Sequence, residues 1–154
     1  MNVAVSPVER EDIDESAIGA LAASILTTEG VPHDASLSIT FVSQADISDL
    51  NERFMGKAGP TDVLSFPIED ASPDTPPLST AGGPPLELGD IFICPEIVDA
   101  HADEFGVAFV DELFLMVTHG VLHILGWDHQ SEADAQAMES REARHLQTIG
   151  RTRR

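Results

Sequence analysis

The sequence predicts an α+β fold, and three observations carry the prediction. Four short stretches rich in β-branched and aromatic residues are spaced among five helical patterns. One of those patterns, "VAFVDELFLMVTHGVLHIL", is apolar on nearly every face, so it should run through the middle of the fold. A chain of 154 residues, 42% of them apolar, suits one buried core, and with no internal repeat or second boundary residues 1–154 read as a single domain.

"VAVS", near the amino terminus, is the first candidate strand. Ile18, Leu21, Ala22, Ile25 and Leu26 then recur at i, i+3, i+4, i+7 and i+8, an amphipathic helix that Gly30 and Pro32 end. "SLSITFVS" alternates Leu37, Ile39 and Phe41 with Ser and Thr, the pattern of a half-buried strand. Ser43 with Asp46 three residues on is a capping signal, and Ile47, Leu50 and Phe54 mark the inner face of a second helix. The Gly/Pro turn in "MGKAGPTDVLSFP" leads into the strand "DVLSFP". Residues 69–87 hold five of the ten prolines and no apolar period, so they read as a long exposed loop, either a surface insertion or a substrate lid. "GDIFIC" is the fourth strand; Pro95 suits the first turn of a helix that Gly106 breaks after Phe105. The apolar helix follows. Ser131 and Asp134 cap a fifth helix, "SEADAQAMESREARHLQTI", before Gly150 and the basic tail 151–154.

Lys and Arg total 8 against 27 Asp and Glu, a formal charge of −19, which repels nucleic acid and anionic membranes at long range. An anionic substrate must therefore be attracted locally. No apolar run reaches the roughly 18 residues of a membrane span, and "MNVAVSPVEREDIDE" lacks the basic and apolar regions of a signal peptide, which predicts a cytoplasmic chain with no membrane partner. Cys94, the one cysteine, lies in "IFIC" and reads as a packing residue.

The chemistry concentrates in "THGVLHILGWDHQ". His119, His123 and His129 stand at 0, +4 and +10, with Gly126 at +7. Two histidines one helical turn apart share a face, so their imidazoles can reach one ion, and a left-handed glycine can turn the chain so that the third swings back to it. Three imidazoles with an open position suit catalytic zinc, one ion per chain, although nickel or copper could bind the same nitrogens. Uncharged ligands leave the ion its +2 charge, an attractor for phosphate oxygen in an acidic protein. Zinc lowers the pKa of water to about 7, so Gly120, standing where a zinc peptidase carries its glutamate base, does not forbid hydrolysis; it argues against peptidase chemistry. Asp128 could orient an imidazole or take a proton at the metal, or merely satisfy amides of the turn; Trp127 reads as packing over the site. His33, His101 and His145 show no ligand spacing and read as surface or boundary residues.

These residues resemble the bacterial YbeY family of rRNA maturation factors. "HGVLHILGWDH" fits its signature, and "GPTDVLSFP" and "LGDIFIC" match two further blocks in the right order. The resemblance implies a mixed four-stranded sheet flanked by about five helices, zinc on the three histidines at the end of the central helix, and endoribonuclease activity on single-stranded rRNA. It further implies 16S rRNA 3′-end maturation and ribosome quality control, with the small ribosomal subunit or its proteins as partners. Thr61, Asp62 and Ser65 match its cleft-lining strand and Asp90 the block after the long loop, where turn hydrogen bonds are an equal account. One departure is that the arginine usual after the aromatic Phe54 is here Met55. Lys57, or else Arg53, is the available cation to take its place at a phosphate. A second reading, a metal-stabilised ribosome assembly factor with little nuclease activity, draws on Met55 and the negative charge, with "RTRR" as an RNA-facing or frayed tail.

Overall fold

The structure is a computed structural model and describes residues 1–79 and 82–154. In chain order its elements are β1 (Asn2–Val5), α1 (Glu15–Thr28), β2 (Ser36–Phe41), α2 (Gln44–Met55), β3 (Val63–Pro67), β4 (Glu87–Ile93), α3 (Pro95–Phe105), α4 (Phe109–Ile124) and α5 (Glu132–Gln147). The strands form one mixed sheet in the order β1-β2-β4-β3. β1, β2 and β4 run parallel, and β3 lies antiparallel on the outer edge of β4. This is the predicted α+β fold with four strands and five helices.

Helix ends fall where side chains satisfy the orphan amides. Ser43 Oγ accepts from the Asp46 amide and Ser131 Oγ from the Asp134 amide, each at 3.1 Å. α1 starts three residues before its first apolar position because Asp14 caps it, accepting from the Ala17 amide. α3 has Pro95 in its first turn and a left-handed Gly106 at its end. Of the predicted loop 69–87, positions 80 and 81 lie outside the described residues. The described part departs from a wholly exposed insertion: Leu86 and Pro77 are buried, and Glu87 already belongs to β4.

α4 is the centre of the molecule, packed on β3 and β4 and flanked by α1, α3 and α5. Eleven of its 16 residues are buried. Its close seat on the sheet explains Gly120. A Cβ there would lie 3.1 Å from Ile91 Cγ2 and 3.3 Å from Val63 Cγ2, and Ser65 Oγ donates to the Gly120 carbonyl at 2.9 Å. Position 120 faces the sheet, so a side chain as long as glutamate has no room there.

Two expectations are corrected and one holds. His145 is a core residue at 4% exposure, its Nε2 3.4 Å from Glu29 Oε1. His101 is a boundary residue as expected, half-buried with its Nδ1 3.1 Å from Asp62 Oδ2. The tail "RTRR" is neither frayed nor free for RNA, since Arg151, Arg153 and Arg154 all pair with acids of α4 and α5. Among the described residues no single helix is long and apolar enough to cross a membrane.

Candidate metal centre

The last two turns of α4 and the turn after it assemble the site. The helix ends in a Schellman turn: Gly126, at φ 92°, donates its amide to the His123 carbonyl, and Trp127 donates to the Leu122 carbonyl, both at 3.0 Å. Only glycine fits, because a Cβ at 126 would sit 2.1 Å from the Ala71 carbonyl oxygen of the loop packed against it. The reversal carries His129 back over the helix end. One ring nitrogen from each of His119, His123 and His129 then lies within 4.8 Å of the others, close enough for the three to hold one metal ion.

The hydrogen bonds behind the rings decide their protonation. His123 Nδ1 lies 2.8 Å from the Trp127 carbonyl, which can only accept, so Nδ1 carries the proton. His119 Nδ1 lies 2.8 Å from Oε2 of Glu142, a residue only 2% exposed. Burial pushes the Glu142 carboxyl up, but the hydrogen bonds and charges of His119 and Arg153 outweigh burial and hold it below its ordinary range, so it too accepts. Nε2 of each ring is left facing the cleft, and the two Nε2 atoms lie 2.9 Å apart. Two ring nitrogens this close share a cation between them, a proton or a metal ion, and with the His129 ring beside them the donor set fits a metal ion. Burial, followed by the neighbouring His119 and His129, lowers the His123 pKa to about 4, which keeps this ring neutral at pH 7.

The histidines open on a cleft of about 340 Å³ between α4 and β3, continuous with a second hollow of about 330 Å³ through Met55, Val63, Leu64, Ser65 and His123. Lys57, Thr61, Asp62 and Ser65 line the first, with Asn51. Asp128 and Trp127 line the second. Arg53 lines neither; it points along α2, 3.3 Å from Asp49, with 64% of its side chain exposed.

Several of these residues spend their polar atoms on the fold. Asp62 Oδ1 accepts from the Val63 amide at 2.8 Å, and Ser65 ties β3 to α4. Asp128 Oδ1 accepts from the His129 amide at 2.8 Å, so it stiffens the ligand turn; the carboxylate oriented on an imidazole is Glu142 instead. Asp90 lies away from the cleft, among residues of β1, β2 and β4 on the sheet. Sequence reading missed Glu142 and Asn51. Glu142 occupies the inner stripe of α5 with Met138, His145 and Leu146, and a carboxylate within an apolar stripe signals a buried partner. Asn51, buried on α2, donates to the Gly59 carbonyl at 3.0 Å and shapes the turn bearing Lys57.

Fold and site together define an α+β protein with three converging histidines at the mouth of an open cleft. A family model described as "Endoribonuclease YbeY" matches residues 5–150. "Endoribonuclease YbeY" of Salinispora tropica is 39% identical over 99% of both chains. The proteins of that name from Beutenbergia cavernae and Moorella thermoacetica are 41% and 42% identical over 90% and 79% of this chain and 90% and 78% of their own. A Thermotoga maritima protein of known solution structure superposes with a TM-score of 0.59 at 25% identity, covering 96% of this chain and 91% of its own. The chain belongs to the YbeY endoribonuclease family.

Proposed function

We propose that the chain is a zinc-dependent endoribonuclease that cuts single-stranded RNA and acts in 16S rRNA 3′-end maturation and ribosome quality control. Support comes from one observation above all: ring nitrogens of three histidines gather within 4.8 Å of one another on the wall of an open cleft. His119, His123 and His129 would hold the ion, which when bound supplies Lewis-acid polarisation and an activated water at neutral pH.

This chain's own residues supply the rest. Substrate approaches an acidic body, so phosphate must be drawn in at short range, and Lys57 is the cation lining the cleft among the described residues. Its ammonium would neutralise charge growing on the phosphoryl oxygens. Asp128 would take a proton at the cleft wall while its other oxygen stays on the His129 amide. Thr61, Asp62 and Ser65 would shape the floor along which the strand lies, with Arg53 confined to the rim.

The test is cleavage of a single-stranded rRNA fragment by the zinc-loaded protein, by His123→Ala and after chelation, with zinc counted by elemental analysis. Cutting that disappears in both controls supports the reading. Zinc-loaded wild type that leaves the RNA intact sinks it. Attack by the RNA 2′-hydroxyl would leave a cyclic phosphate, so product ends identify the nucleophile.

A second reading, a ribosome assembly factor with little nuclease activity, is favoured by Met55 in the cleft and by a charge of −19 that suits basic ribosomal proteins. Small-subunit binding that survives loss of all three histidines, without cleavage by wild type, would favour it.

A further inference from the structure

We infer that the segment 151–154 is a clasp for the metal centre, in which Arg153 is a positioning residue that fixes His119 through Glu142. The inference rests on the reading of the three histidines as metal ligands. Glu142 Oε2 holds His119 Nδ1 at 2.8 Å, and its other oxygen accepts from Arg153 Nε at 3.0 Å. A carboxylate tied through one oxygen can still turn about its last bond. Tied through both, its plane is fixed, and with it the ring of His119.

Arg153 is itself held. Its guanidinium reaches Glu139 at 3.5 Å and donates to the Arg154 carbonyl at 2.8 Å. Arg154 Nε reaches both oxygens of Glu112, at 2.9 and 2.8 Å, and Glu112 is 1% exposed in α4. The Arg154 guanidinium also lies 3.7 Å from the centre of the Phe105 ring. Arg151 pairs with Asp111. The segment thus anchors on α3 and α4 and delivers Arg153 to α5, behind the histidines. Three of the eight Lys and Arg residues of a very acidic chain are spent here, in a stretch just past the 5–150 match to the family.

The experiment uses the full chain as wild type, Arg153→Met, Arg153→Lys and Arg154→Met. The zinc dissociation constant is read by competition with a chromophoric chelator, and the melting temperature on the metal-free proteins. Arg153→Met should weaken zinc about tenfold, and Arg153→Lys about threefold because an ammonium cannot bridge as the guanidinium fork does. Arg154→Met, which loosens the anchor and strands the buried Glu112, should lower the melting temperature most and weaken zinc less than Arg153→Met does, because Arg151 still holds the segment. In the zinc-bound protein the Nδ1 proton of His119 should exchange with water faster in Arg153→Met than in wild type. If a folded Arg153→Met binds zinc as wild type does, the clasp is refuted while the metal reading stands. Should that variant not fold, a wild-type zinc affinity in Arg153→Lys refutes it equally. If wild type takes up no zinc, both readings fail together.

Discussion

One wall of the cleft is formed by α4, its ligand turn and α5, the other by the end of α2 and the turn leading to β3. On the first wall three side chains have a fixed partner: His119 on Glu142, His123 on the Trp127 carbonyl, Asp128 on the His129 amide. On the second, Met55 and Lys57 are exposed, and the turn is braced behind them by Asn51 and Asp62. On the proposed reading the half that would hold the ion is braced in advance, whereas the half that would meet phosphate is more exposed and poor in positive charge. Such a division suits a site whose metal geometry must be constant while its substrate strand varies.

Replacing Gly126 by alanine should damage the fixed wall most, since a positive φ and a backbone oxygen 2.1 Å from the new Cβ both oppose it. A loss of about 3 kcal/mol or more is expected in chemical denaturation, together with weaker zinc binding as His129 is displaced. Glu142→Gln keeps the shape but removes the charge behind His119, and should weaken zinc roughly 10- to 100-fold by chelator competition. Unchanged affinity would mean that the wall owes nothing to this carboxylate. On the more exposed wall, Met55→Arg should raise kcat/KM for single-stranded RNA about tenfold at low salt, with zinc affinity unaltered.

Lowering pH should separate the walls further. Folded His123 protonates only near pH 4, against 6.5 when unfolded, so its contribution to stability is complete above about pH 6.5 and is lost as pH falls toward 4. Glu142, held below its ordinary range, adds loss of the same sign at acid pH. Metal-free wild type should therefore lose melting temperature on acidification more steeply than metal-free His123→Ala. The smallest effect is expected of Arg53→Ala, whose exposed pair with Asp49 is worth under about 0.5 kcal/mol, with cleavage rates unchanged.

Local signals made much of this legible in the chain. α3 was readable to the residue because Pro95 and Gly106 bracket it, and the caps at Ser43 and Ser131 stand where Ser followed by Asp places them. The histidine spacing foretold a shared point because helix and turn geometry act over ten residues. What escaped depends on distant partners. Nothing local to Glu142 names His119, 23 residues away, and nothing in "RTRR" names Glu112 or Glu142. The strand order likewise follows from which faces meet across the core, a property of no single stretch.

The two facing nitrogens of His119 and His123 have a practical consequence. Ring nitrogens already gathered within 4.8 Å of one another need only small shifts on loading, and imidazole nitrogens discriminate little among late first-row divalent ions. On the proposed reading, which metal is found will follow supply: protein eluted from a nickel-charged resin will carry nickel unless it is stripped and reloaded.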